Sequence, residues 1–182
     1  MSKRQAAQES PVLKQLTSAL EAFKKEAGAR EAALKDLKIE SVKEVSDNGV
    51  SCAIVTVPYK QINLFRAIHE EIVKRFEDAY GNHVVVVGKR RAFPKRPEPG
   101  RRYRQIRPHS RTLRDVQQKV LEDVTFPVAI VGKRTHYDLR GKQVTRVILD
   151  SQSKAAFEER VPAMNAAYHR LTGLQTVFQF EE

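Results

Sequence analysis

The 182-residue chain predicts an α+β fold: a mixed β-sheet body packed by amphipathic helices and carrying an extended Arg-rich arm. Three observations lead there. Stretches with apolar residues at helical spacing alternate with short β-branched runs. The order strand, strand, helix, strand occurs in residues 38–88 and again in residues 128–180, with little residue identity between the two. Between them, Lys89 to Arg111 is too rich in proline and charge for a helix or a central strand.

Taken in order, residues 1–9 are a polar tail, and Ser10 with Pro11 has the form of an N-cap and first helical residue. Leu13, Leu16, Leu20, Phe23 and Ala27 then recur on one helical face until Gly28, which predicts an amphipathic helix packed on the core or on a partner. A short helical piece, Arg30 to Leu37, leads to a strand at Lys38 to Val45. Asp47, Asn48 and Gly49 suit a tight hairpin, since Asn and Gly tolerate positive φ, and the returning strand is Ser51 to Val57, closed by Pro58. Phe65, Ile68, Ile72, Phe76 and Ala79 form one stripe of a helix from Gln61 to Tyr80, ended by Gly81 and Asn82. His83 to Gly88 is a β-branched run suited to a buried strand.

Beyond the basic stretch, Thr112 and Asp115 have capping-box spacing, and Leu113, Val116, Val120 and Val124 give a helix that stops before Phe126 and Pro127. Strands Val128 to Thr135 and Gln143 to Leu149 follow, joined by a turn containing Gly141; helical segments Ser151 to Arg160 and Pro162 to Thr172, a stop at Gly173 and a strand Leu174 to Phe180 complete the chain. The expected organisation is a single α/β domain over residues 10–182, interrupted by the basic arm at 89–111. Val86-Val87-Gly88-Lys89-Arg90 is echoed by Ile130-Val131-Gly132-Lys133-Arg134, and side-by-side strands there would extend the cationic surface; two unrelated strand ends with solvated cations are the alternative.

The arm carries the functional signal. Ten Lys or Arg against one acid, Glu98, give these 23 residues +9 of the formal +11, leaving +2 for the other 159. Eight of the ten are Arg, whose planar guanidinium binds phosphate through two parallel hydrogen bonds and also stacks on bases. Basic runs also serve as import signals, membrane patches or solvated loops. The length and Arg content of this one, with Phe93 and Tyr103 as possible stacking rings, favour nucleic acid. The nucleic-acid-binding candidates are Lys89, Arg90, Arg91, Lys95, Arg96, Arg101, Arg102, Arg104, Arg107 and Arg111, followed by Arg114, Lys133 and Arg134. Arg111 and Arg114 lie at a helix start, where anions are favoured, so they make most sense with a phosphate nearby.

Other chemistry is not signalled. No apolar run approaches the ~20 residues of a membrane span, and residues 1–10 lack the apolar core of a signal peptide, which suggests an intracellular protein without a membrane partner. The one cysteine, Cys52, lies in an apolar run as a small buried hydrophobe, so no disulfide or cysteine metal framework is available. The Gly-Lys pairs lack the remaining residues of a phosphate loop, and no Gly-x-Ser-x-Gly elbow is present. His69, His83, His109, His136 and His169 are not paired at zinc-protease spacing. Glu70 with Glu71, Glu122 with Asp123, and Glu158 with Glu159 are adjacent acids that diverge on a helix and read as solvated faces. No enzyme, cofactor, metal or small-molecule substrate is expected, although a metal-dependent RNA-processing enzyme assembled from distant acids is one alternative and a regulatory RNA or DNA binder another.

The run from His83 to Lys95, His-Val-Val-Val-Val-Gly-Lys-Arg-Arg-Ala-Phe-Pro-Lys, is followed by Ser110-Arg-Thr-Leu113, Val120-Leu-Glu-Asp123, Phe126-Pro127 and Ile130-Val-Gly-Lys-Arg134. In order and spacing these resemble the eukaryotic small-subunit ribosomal protein family S-seven-e, distinct from the bacterial small-subunit protein seven, from about Leu13 to Phe180. The resemblance implies a non-enzymatic constituent of the small subunit that binds its rRNA and neighbouring ribosomal proteins and takes part in assembly, cytoplasmic on the ribosome and nucleolar while assembling. It implies an rRNA-facing region at Lys89, Arg90, Arg91, Lys95, Arg96 and Ser110-Arg111-Thr112. Pro97 to Arg107 is shorter and richer in Arg than the Lys-rich pattern of relatives, and Arg114 and Gln117 replace a common Thr and His.

Overall fold

The computed structural model describes residues 11–26, 37–47, 49–93, 107–139, 141 and 143–181. Among the described residues, six strands form two three-stranded sheets. In the first, β1 (Ser41–Asp47) pairs antiparallel with β2 (Val50–Pro58), which pairs parallel with β3 (His83–Lys89). In the second, β4 (Ile130–Tyr137) pairs antiparallel with β5 (Gln143–Leu149), which pairs parallel with β6 (Gln175–Phe180). Both halves therefore have one topology, a hairpin followed by a helical crossover to a parallel third strand. The expectation of mixed sheets packed by helices holds; the expected helix at Arg30 to Leu37, the polar tail and the arm interior lie outside the described residues, apart from Leu37.

The helices are α1 (Pro11–Glu26), α2 (Ile62–Ala67), α3 (His69–Tyr80), α4 (Leu113–Thr125), α5 (Lys154–Phe157) and α6 (Val161–Thr172). The first sheet is covered on both faces. Ala53, Val55 and Val57 of β2 meet Leu16, Leu20 and Phe23 of α1 and Phe65, Ile72 and Phe76 of α2 and α3. Cys52 and Ile54 point the other way, because successive strand side chains alternate, and join a core with α4, α6 and the inner face of the second sheet. α6 packs against both β2 and β6, so it lies between the sheets. Burial on two faces explains why β2 and β3 are apolar at nearly every position, whereas β5 alternates. Cys52 is fully buried, its thiol pushed up by burial and donating to the Ala163 carbonyl oxygen at 3.7 Å.

Several boundaries move. The single helix expected over Gln61 to Tyr80 is a 3-10 turn, Tyr59–Gln61, and two helices that meet at Ile68, whose φ of −120° and ψ of 22° leave helical geometry. The apolar stripe runs across the break because Phe65 and Phe76 pack in the same cluster, and a β-branched residue at the junction favours helix only modestly. Gly81 ends α3 at φ +81°, as the turn signal suggests. The helix expected at Ser151 to Arg160 is α5 flanked by the 3-10 turns Ser151–Ser153 and Glu158–Arg160. Leu113, expected in the core stripe of its helix, is 59% exposed at the helix start, ahead of the point where α4 reaches the core. The strand expected at Lys38 begins at Ser41.

The halves are also joined by polar contacts. Arg160 donates to Glu77 of α3 at 2.7 Å. His69 meets Phe126 edge to face with ring centroids 4.9 Å apart. Burial, with help from Arg160 and Arg66, lowers the His69 pKa from 6.5 to about 4. The folded protein therefore holds His69 neutral where the unfolded chain would protonate it, so stability falls as pH drops from 6.5 towards 4. Allowing for solvent screening, the loss expected by pH 5 is about 1–2 kcal/mol. Thermal melting at pH 7 and pH 5 checks this: His69→Phe, which keeps a ring against Phe126, should show the smaller fall in melting temperature.

Candidate nucleic-acid interface

The basic stretch leaves the body at the end of β3 and returns at the start of α4, and the structure describes both of its ends. They are tied together. The Phe93 N–H donates to the Arg111 carbonyl oxygen at 2.9 Å. Arg107 donates through Nη1 to the Phe93 carbonyl oxygen at 3.3 Å, and the Arg111 guanidinium lies 4.8 Å above the Phe93 ring. A 3-10 turn, His109–Arg111, then hands over to α4, whose N-cap Thr112 accepts from the Asp115 N–H, as the capping spacing predicts.

Beneath this junction lies a buried charge cluster. The Asp123 side chain is 0% exposed, and its carboxylate receives three donors from two other elements. Arg90, 11% exposed, pairs with both carboxylate oxygens. Arg66 of α2 donates to Oδ1 at 2.7 Å, and the Gly88 N–H donates to Oδ2 at 3.0 Å. The Arg90 guanidinium also lies 5.4 Å above the Tyr59 ring. One reading is corrected here: Asp123, grouped with Glu122 on a solvated face, is the buried acid of the group. Arg90, one of the candidate contacts, is turned inward onto it. The missed signal was position: Asp123 follows Val120 by three residues and Val116 by seven, which puts it on the apolar face of α4.

The remaining candidates divide by surroundings. Lys89 is ion-paired with Glu40 across the first sheet, while Arg91 is exposed. Lys95, Arg96, Arg101, Arg102, Tyr103 and Arg104 lie outside the described residues. Arg114 and Lys133 line one cleft together with His109, Thr112, Gln118 and Thr135. Lys133 donates to Gln118 at 2.8 Å, and burial and the charge of Arg114 lower its pKa. The side-by-side strands proposed for the two Val-Gly-Lys-Arg echoes are not found, because β3 and β4 belong to different sheets. Lys133 nevertheless comes near the arm's return, through α4 rather than through strand pairing. Arg134 points to the opposite face and stands across from Arg146 in the β4–β5 register. Arg146, a second cation beside it, was not legible from local sequence.

The sequence model of the family described as Ribosomal protein S7e matches residues 1–180. The chain belongs to the ribosomal protein S7e family. The chain is 36% identical over 151 residues to the small ribosomal subunit protein eS7 of Drosophila yakuba, covering 82% of this chain and 78% of that one. It is 37% identical over 150 residues to eS7 of Candida albicans, covering 81% and 80%, and 36% identical over 152 residues to eS7B of Saccharomyces cerevisiae, covering 81% and 78%. This agrees with the resemblance carried by the motifs around the arm. Among the described residues of this S7e chain, no three His, Cys, Asp or Glu side chains gather as a metal site, and no helix is long and apolar enough to cross a membrane.

The inward and outward arginines should behave differently. Arg90→Gln strips a buried carboxylate of its main partner and should lower stability by about 3–5 kcal/mol. Arg91→Gln, at an exposed position, should change it by roughly 0.5 kcal/mol or less. Urea unfolding of both variants measures the contrast, and equal midpoints would contradict the assignment of Arg90 to the interior.

Proposed function

We propose that this protein is a non-enzymatic constituent of the small ribosomal subunit, bound to its rRNA and to neighbouring ribosomal proteins, and that it contributes to assembly of that subunit. The observation that carries the reading is the concentration of +9 of the +11 net charge in residues 89–111 of a member of the ribosomal protein S7e family. A helix-and-sheet body of mixed charge offers ordinary protein surface, while one segment supplies the electrostatics of phosphate binding. The candidate contacts are Arg91, Lys95, Arg96, Arg101, Arg102, Arg104, Arg107 and Arg111, with Arg114 and Lys133 in the adjoining cleft and Arg134 beyond it. Phe93 and Tyr103 are the stacking candidates, Phe93 already carrying Arg111 on one face. No cofactor enters this role. Its place is the cytoplasmic ribosome, with a nucleolar stage during assembly.

Neutralising about five phosphates corresponds to ~100-fold weaker binding between 50 and 200 mM salt. Replacing Arg91, Arg96 and Arg114 together by Gln should weaken binding to in vitro transcribed small-subunit rRNA by at least ~10-fold and flatten the salt slope by about two. In a sucrose gradient of cell extract, the protein should run with small subunits and translating ribosomes at low and moderately high salt. A protein found mainly at the top of the gradient, or a triple variant that binds as the wild type does, would overturn the proposal.

A further inference from the structure

The buried cluster around Asp123 does more than neutralise two arginines, because of where its donors sit in the chain. Gly88 and Arg90 lie where the arm leaves β3, while Asp123 belongs to α4, the helix that begins two residues after Arg111. One carboxylate therefore grips the outgoing chain from the helix that receives the returning chain. Three residues beyond Arg90, Phe93 meets Arg107 and Arg111. The two contact sets lie in series, the buried one setting where the chain leaves the body and the exposed one closing the base.

Gly88 belongs to the same arrangement. A Cβ built there would stand 3.2 Å from Arg90 Nη1 and 3.4 Å from Asp123 Oδ2, so the carboxylate and guanidinium occupy the space a side chain would take. Gly132, the corresponding glycine of the other Val-Gly-Lys-Arg echo, faces only the Ile148 side chain, at 3.5 Å. The two similar sequences are thus used differently, and only the one before the arm is fitted around a charge.

We propose that Asp123 is a positioning residue for RNA binding: by holding Gly88 and Arg90 against α4 it fixes the arm's base, so that Arg91, Arg107 and Arg111 are presented together to phosphates. This rests on the RNA-binding reading above. It makes a prediction of unusual sign. A carboxylate near a cationic surface repels phosphate, so deleting its charge would strengthen RNA binding if charge were its only contribution. A lost anchor weakens binding instead, because cations no longer held together must be ordered when RNA binds.

The test uses the full chain and in vitro transcribed small-subunit rRNA, with dissociation constants measured from 50 to 200 mM salt and thermal melting run beside them. Asp123→Asn and Gly88→Ala should each bind about five-fold or more weakly at 50 mM salt, with a slope shallower by roughly one phosphate contact. Gly88→Ala retains every charge, and it decides the matter if Asp123→Asn fails to fold. Arg160→Gln removes the ion pair to Glu77, which lies outside both the Asp123 cluster and the arm. It should lower the melting temperature yet bind with wild-type affinity and slope, which separates anchoring from general destabilisation. Folded Asp123→Asn or Gly88→Ala protein that binds as tightly as wild type or tighter, with an unchanged slope, would overturn the inference while leaving the RNA-binding reading intact. Wild-type protein that shows no salt-dependent binding at all would overturn that reading first and the inference with it.

Discussion

A carboxylate removed from water is stable only if donors replace its hydration shell, and Asp123 has three of them from Arg66, Arg90 and the Gly88 amide. Satisfying one buried oxygen pair therefore fixes α2, the end of β3 and α4 relative to each other. The requirement propagates outward. Gly88 leaves room for the carboxylate and guanidinium, Arg90 turns in rather than out, and the chain leaves the sheet along the path that brings Phe93 to Arg107 and Arg111. The base of the cationic segment is thus built from the interior of the protein.

The layers supply the rigid frame for this charge cluster. The first sheet has α1 and α3 on one face and α4 and α6 on the other, and the second sheet closes over α6. Each half has the same strand topology, yet the halves are not interchangeable. The helices following β3 and β5 bury apolar side chains shared by both sheets, so neither half's inner surface would be covered without the other. Arg160 with Glu77 and His69 with Phe126 cross the same boundary.

Cations that look alike in the sequence have separate roles in this frame. Lys89 is paired with an acid of the body yet exposed, Arg90 is turned inward onto another, Arg107 and Arg111 hold Phe93 with Arg111 still exposed, and Arg91, Arg114 and Arg134 are exposed. Only cations that keep contact with solvent can release counterions when they meet phosphate. The pairing of each basic residue therefore sets how free it is to meet an anion. Lys133 shows the converse: a cation 22 residues beyond the arm's end comes beside Arg114 because its side chain reaches Gln118 of α4.

Local sequence by itself determined the helix and strand types, the stops at Gly81 and Gly173, the Thr112 cap, the burial of Cys52 and the location of the charge. All of these depend on side-chain periodicity, backbone freedom at glycine or hydrogen bonds spanning three residues, which are short-range. Tertiary structure decided the partition into two sheets, the parallel third strands, the opposition of Arg134 and Arg146, and the inward turn of Arg90. Each of these joins residues far apart in the chain, from Arg90 and Asp123 to Arg66 and Asp123, and the energy of such a contact depends on burial that no single segment contains. Asp123 stands at the border between the two. Its place on the apolar face of α4 is written in the spacing, but its partners exist only once α2 and β3 have packed against that helix.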